Sequence, residues 1–144
     1  MDIRQITPDF AAAPQIQPSD MEALAAMGFS TVINNRPDGE IPPALQADAM
    51  RAAAEAAGLR YIGNAAETRS MSLETVRAQA RAIDGSTGPV LAYCASGTRS
   101  TILWALSMAG RMPVDDIIGS AASGGYDLSP FRPQIEALAN APGG

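Results

Sequence analysis

One cysteine stands in the 144-residue chain, at position 94, and there is no histidine. It lies in YCASGTRS, residues 93–100, behind the apolar run PVLAY and ahead of the apolar run TILWAL. A thiolate is both a nucleophile and a leaving group, and its chemistry depends on what stabilises its charge. This stretch supplies three such features. A helix starting just after Cys94 would aim its free amides and positive dipole end at the sulfur. Gly97 lets the chain bend so that the backbone of Ala95, Ser96, Gly97 and Thr98 can form an anion-binding nest. Arg99 adds a permanent cation, and Ser96, Thr98 and Ser100 add hydroxyls, one of which can stabilise the departing thiolate. A lone cysteine after a core strand is otherwise a small buried hydrophobe. The Gly-Thr-Arg-Ser sequel at a strand-to-helix turn points instead to an activated cysteine in an anion cradle.

The elements that must hold this loop alternate along the chain. Residues 3–6 and 10–16 are short strand candidates, the second interrupted by Pro14. A helix follows from Ser19 or Asp20 to Gly28, then a β-branched strand over 29–35 and a turn at RPDGE, 36–40. The spacing predicts a helix over 43–58, a strand over 59–63, a loop over 64–71 and a helix over 72–84. That last helix is capped by Ser72, with Leu73, Val76, Ala80 and Ile83 on one stripe. PVLAY, 89–93, reads as a strand buried on both faces. Helices over 100–110, 114–123 and 129–140 complete the chain, and APGG at its end reads as a frayed tail. Alternation of this kind implies right-handed crossovers. The expectation is a single α/β domain over 1–144, with a mainly parallel sheet flanked by helices and antiparallel edge strands at the N-terminus. Ligands of such sheets bind beyond the carboxyl ends of the strands, where YCASGTRS falls.

Composition narrows the function. A net charge of −5 argues against a nucleic-acid partner, and all ten basic residues are arginines spread along the chain. A single cysteine cannot form an internal disulfide. The lack of histidine argues against a transition-metal site, and no residue pattern calls for a cofactor. No apolar run is long enough to span a membrane, and MDIRQITPDF lacks the pattern of a signal peptide, so a cytoplasmic protein is expected. Nothing specifies an oligomeric state.

Strand–Cys-x-x-Gly-x-Arg-Ser–helix resembles the active loops of cysteine-dependent phosphatases and of rhodanese sulfurtransferases. VINNRPDGE (32–40), GPVLAYC with SGTRS and LWAL (88–106), and GYDLSP (125–130) sharpen the match. These stretches are similar to the bacterial β-lactamase hydrolase-like protein phosphatase-like domain family, over roughly residues 3 to 139. Some of its members are named as sulfurtransferases, and some are fused to a metallo-β-lactamase-type domain. The resemblance implies a tyrosine-phosphatase-like fold, with Cys94 as nucleophile, Arg99 as the anion-binding arginine and residues 95–98 as the amide cradle.

The chain departs from the tyrosine-phosphatase pattern His-Cys-x5-Arg at several points. Tyr93 precedes the cysteine, and only four residues separate Cys94 from Arg99, which is the rhodanese-type spacing. Ala95 stands where related loops often carry arginine. The loop expected to supply an acid, residues 63–71, has no aspartate, which leaves Glu67 as its carboxylate. Asp38 is a second acid candidate, although its place in a turn accounts for it. Arg36 either lines the anion pocket or pairs at the surface. Asp115 and Asp116 read as a helix-start cap, Trp104 as a core aromatic and Tyr126 as a rim aromatic. Two reactions fit: transfer of a phosphoryl group through a Cys94 thiophosphate, or of a sulfane sulfur through a Cys94 persulfide. The substrate is a small anion in either case, a phosphate ester or a sulfane sulfur donor. A module that only binds an anion, or senses oxidants through Cys94, is the non-enzymatic alternative.

Overall fold

The structure is a computed structural model that describes residues 1–67 and 71–141. Part of the expected 64–71 loop and most of the expected tail therefore lie outside the described residues. Five strands form one sheet: β1 (Arg4–Thr7), β2 (Phe10–Ala13), β3 (Thr31–Asn34), β4 (Arg60–Gly63) and β5 (Val90–Tyr93), in the order β1-β2-β5-β3-β4. β1 runs antiparallel to β2, and every other pairing is parallel. Among the described residues, six helices cover the sheet: α1 (Met21–Ala26), α2 (Ala47–Ala56), α3 (Leu73–Asp84), α4 (Thr98–Met108), α5 (Val114–Ser123) and α6 (Arg132–Ala139). The expected α/β architecture, with its antiparallel N-terminal edge, is the one observed.

Alternation along the central strands divides the core in two. Val90 and Ala92 of β5 join Phe10, Ala12 and Ile33 against Trp104 of α4, Ile117 of α5 and Ile135 of α6. Leu91 and Tyr93 join Ala11, Ala13 and Val32 against Met21 and Leu24 of α1 and Met50 and Ala54 of α2. Every residue of β2, β3 and β5 is buried, as strands covered on both faces require. Trp104 stacks on Phe10 with ring centroids 5.9 Å apart, which confirms its place in the core.

Register decides where the site falls. Tyr93 is the partner of Ala13 on one side and Asn34 on the other, and Asn34 in turn pairs with Gly63. Four parallel strands therefore end level, and the chain leaves each of them at one rim.

Several boundaries differ from the sequence expectation. The expected helix over 43–58 is a 3-10 turn at Pro43–Leu45, then α2 from Ala47; the extended backbone of Gln46 separates them. The expected helix over 129–140 likewise opens as a 3-10 turn, Ser129–Phe131, before α6. On α3 the buried positions are Val76, Gln79 and Ala82, whereas Leu73 is half exposed. The stripe turns because Gln79 is drawn inward by polar partners. Ser72 does cap α3, accepting the Thr75 amide at 3.1 Å. Asp115 and Asp116 occupy the first turn of α5 without capping it; Asp115 accepts from Arg132 at 2.7 Å. α4 begins at Thr98, two residues earlier than expected, which places Arg99 and Ser100 in its first turn.

Candidate active site

The loop between β5 and α4 is held from outside by its carbonyls. The Ala95 carbonyl accepts the Gln15 amide at 3.2 Å, and the Ser96 carbonyl accepts the Tyr126 hydroxyl at 3.0 Å. The Gly97 carbonyl accepts both the amide and the hydroxyl of Thr101, at 3.0 and 2.8 Å. Among the described residues, no peptide bond is cis. A trans peptide turns its N–H away from its C=O, so outward carbonyls at 95 and 96 direct the Ser96 and Gly97 amides toward the inside of the bend, whereas the Thr98 amide donates to Ser96 Oγ at 3.4 Å. One of those amides reaches the sulfur: Gly97 N–H donates to Cys94 Sγ at 3.1 Å. Cys94 is fully buried, yet its sulfur meets a backbone donor rather than hydrocarbon.

Gly97 makes the bend possible. Its φ is +93°, in the left-handed region, and a Cβ there would lie 2.0 Å from the Tyr126 hydroxyl oxygen. Glycine alone escapes both the backbone penalty and the collision. The Ser96 hydroxyl donates to Thr98 Oγ1 at 3.0 Å, so these two side chains bond each other on the exposed rim. Ala95 contributes backbone only.

Arg99 is buried and held in one orientation. Its Nη1 donates to Glu40 Oε2 at 2.8 Å and to the Ala66 carbonyl at 2.9 Å, and its Nη2 donates to Glu40 Oε1 at 2.8 Å. A guanidinium has five N–H donors. Three go to Glu40 and Ala66, and Arg99 also bonds the Cys94 sulfur; Nε–H and the second Nη2–H lie side by side on one edge, the arrangement that receives an oxyanion in a two-point grip. Glu40 raises Arg99 above its ordinary range, burial opposes this, and the nearby Cys94 sulfur adds to the rise. Reciprocally, the Arg99 bond holds the Glu40 carboxyl below the usual carboxylate range, with burial opposing and Arg36 assisting.

The other expected site residues divide by position. Arg36 is partly buried at the rim, donating to Glu40 Oε1 at 3.3 Å and to Gln15 Oε1 at 3.1 Å, so it shares the carboxylate that orients Arg99. Ser100 does not point at the sulfur through its hydroxyl; it donates to Asn35 Oδ1 at 2.8 Å. Glu67 is exposed and directly follows Ala66, whose carbonyl anchors Arg99. Asp38 accepts the Ala47 amide at 2.8 Å, which ties it to the start of α2 and explains it structurally.

Four supporting residues escaped the sequence reading: Glu40, Asn35, Asn64 and Gln79. Asn35 Nδ2 donates to Gln79 Oε1 at 2.9 Å, Gln79 Nε2 donates back at 3.1 Å, and Asn64 Nδ2 donates to Gln79 Oε1 at 2.8 Å. This closed amide cluster sits behind Ser100. The one signal for it was a glutamine beside the apolar stripe of α3. Glu40 gave no signal beyond its place in RPDGE. Among the described residues, no three His, Cys, Asp or Glu side chains converge on a possible metal site. A cavity of about 480 Å³ lies elsewhere, between α3, α4 and α6, and includes no residue of the cysteine loop.

The sequence matches the family model described as β-lactamase hydrolase-like protein, phosphatase-like domain, over residues 2–111. The chain belongs to that family. β-Lactamase hydrolase-like proteins of Xylella fastidiosa (strain Temecula1) and Agrobacterium fabrum are 37% and 35% identical to it, over 89% and 82% of this chain. They are much longer: the matched region is 30% and 27% of their own length. Among solved structures, a Neisseria meningitidis protein provisionally named a phosphatase superposes with a TM-score of 0.83 at 31% identity, covering 96% of this chain and 99% of that one. TpbA of P. aeruginosa, in a cysteine-to-serine form solved with phosphotyrosine, shares the fold with a TM-score of 0.68 at 14% identity, covering 96% of this chain and 88% of its own. The family and its fold are thus phosphatase-like. No helix among the described residues is long and apolar enough to cross a membrane.

Proposed function

We propose that the chain is a cysteine-dependent, phosphatase-like hydrolase of a small phosphorylated substrate. The observation that carries this reading is the Cys94 sulfur bonded to the Gly97 amide beside an Arg99 fixed end-on by Glu40. Cys94 Sγ attacks phosphorus while the bond to the leaving oxygen breaks. The Nε and Nη2 donors of Arg99, with the loop amides, neutralise the equatorial oxygens. Glu67 gives a proton to the leaving oxygen, and water then hydrolyses the thiophosphate and restores the thiolate. The phosphotyrosine complex of TpbA, on the same fold, supports a phosphate monoester as the substrate class.

One feature favours a second reading, sulfane-sulfur transfer through a Cys94 persulfide. The four-residue interval between Cys94 and Arg99 makes a tighter ring than the five-residue phosphatase loop, and sulfur transfer needs no acid on a leaving alcohol. Mass spectrometry separates the two. Exposure to an aryl phosphate is expected to release phosphate, with a transient phosphoryl adduct on Cys94. Cys94→Ser is expected to lose turnover by at least about a thousandfold while still binding phosphate. A stable gain of one sulfur from thiosulfate, with aryl phosphates untouched, would replace the first reading by the second.

A further inference from the structure

The resting sulfur and Tyr126 lie at the two ends of one hydrogen-bonded line. The Tyr126 hydroxyl donates to the Ser96 carbonyl at 3.0 Å. The amide of that same peptide group, Gly97 N–H, donates to Cys94 Sγ at 3.1 Å. The peptide is trans, so its two polar ends point in opposite directions, one toward the phenol and one toward the sulfur. A donor on the carbonyl end polarises the group and strengthens the donor at its amide end.

The approach is built from both sides. Tyr126 follows Gly124 and Gly125, and its own amide bonds the Ala121 carbonyl at 3.0 Å, closing the end of α5. Gly125 has φ +93°, a left-handed backbone that favours glycine, and a side chain at Gly124 would have to displace the tip of Ile6. On the other side, Gly97 has no Cβ where the phenol passes. All of this segment lies beyond the residues matched by the family model, 2–111.

We propose that Tyr126 is a positioning residue for Cys94, acting through the Ser96–Gly97 peptide to stabilise the thiolate. The proposal rests on the reading of Cys94 as the nucleophile. Among the described residues, Arg99, oriented by Glu40, and Tyr126 both interact with the sulfur. Burial raises the phenol above its ordinary value, Arg4 opposes this, and Cys94 and Asp2 add to it. The phenol therefore stays neutral, and a donor, throughout the neutral range.

Tyr126→Phe removes the hydroxyl and keeps the ring. The thiol of the whole chain is titrated by the ultraviolet absorbance of the thiolate, with Cys94→Ser as the blank; this chain has one cysteine, so the signal is unambiguous. The midpoint is expected to move to higher pH, lowering the thiolate population below the midpoint about threefold. The Gly97 amide proton resonance is expected to move upfield as its bond to sulfur weakens. Aryl phosphate turnover is expected to fall in kcat by a similar factor, with KM little changed. A Tyr126→Phe titration that superposes on the wild type overturns the relay while leaving Cys94 as nucleophile intact. A wild-type protein with no thiolate signal up to its alkaline unfolding overturns both.

Discussion

The loops that follow β5 and β3 leave neighbouring strands at the same level and do opposite things. After β5, a few residues carry Cys94, which we propose as the nucleophile, the amides beside it and Arg99, and the chain passes straight into α4. After β3, the chain carries Asn35, Arg36 and Glu40, none of which bonds the sulfur. Asn35 accepts the Ser100 hydroxyl, Glu40 orients Arg99, and Arg36 shares Glu40 with it. On the proposed reading, the difference teaches that the groups meant to react sit in one short stretch, while their geometry is fixed by side chains from elsewhere. Without Glu40, Arg99 would lose both carboxylate bonds and keep the one to the Ala66 carbonyl, and a loop without Asn35 would lose the anchor at the start of α4.

The comparison breaks most visibly at Asn35. It is fully buried, and its removal strands the donors of Ser100 and Gln79. Asn35→Ala is expected to cost about 2 to 3 kcal/mol in urea unfolding. Any fall in activity should follow the folded fraction. A variant as stable as the wild type would show that the cluster behind Ser100 supports nothing.

Glu40→Gln sharpens the same contrast at the site itself. About a tenfold fall in kcat/KM at neutral pH is expected, because Arg99 loses its end-on carboxylate. The sign of the pH dependence follows from the depressed Glu40 carboxyl. A carboxyl lowered on folding contributes stability that is complete above its unfolded value and lost as pH falls through its folded value. The stability gap between wild type and variant should therefore be largest at neutral pH and close below the ordinary carboxylate range. Chemical unfolding at a series of pH values reads this directly, and a gap that widens on acidification would refute the pairing.

The smallest effect is expected at Tyr93, the last residue of β5. Its hydroxyl is the one buried side-chain polar atom without a hydrogen-bond partner among the described residues. Burial pushes the phenol far above its ordinary value, so it stays neutral. Tyr93→Phe is expected to leave stability unchanged or raise it by up to about 1 kcal/mol, read from thermal unfolding. A clear loss would mean that the last position of β5 carries a polar role like that of Asn34 beside it.

The parts of the site readable from sequence were those whose partners are near in sequence. Cys94, Gly97 and Arg99 lie within one turn of chain, and Gly97 needs its left-handed backbone whatever the rest does. The α/β order was legible because apolar periodicity and glycine stops are local signals. Glu40 reaches Arg99 across 59 positions and Gln79 reaches Asn35 across 44, and no local pattern encodes such pairings. The start of α4 was not legible because Thr98 and Arg99 look like loop residues, yet the left-handed backbone of Gly97 lets the helix open at Thr98. Ser100 then lies in the first turn, where its hydroxyl donates to Asn35 in the β3 loop.

α4 is sheathed by protein along most of its length; eight of its eleven residues are buried, Arg99 and Trp104 among them. The guanidinium is therefore carried by a helix packed on nearly every side and pinned near its middle by the Trp104–Phe10 stack. A mutation that loosens this deep interior would blur the arginine's aim from a distance.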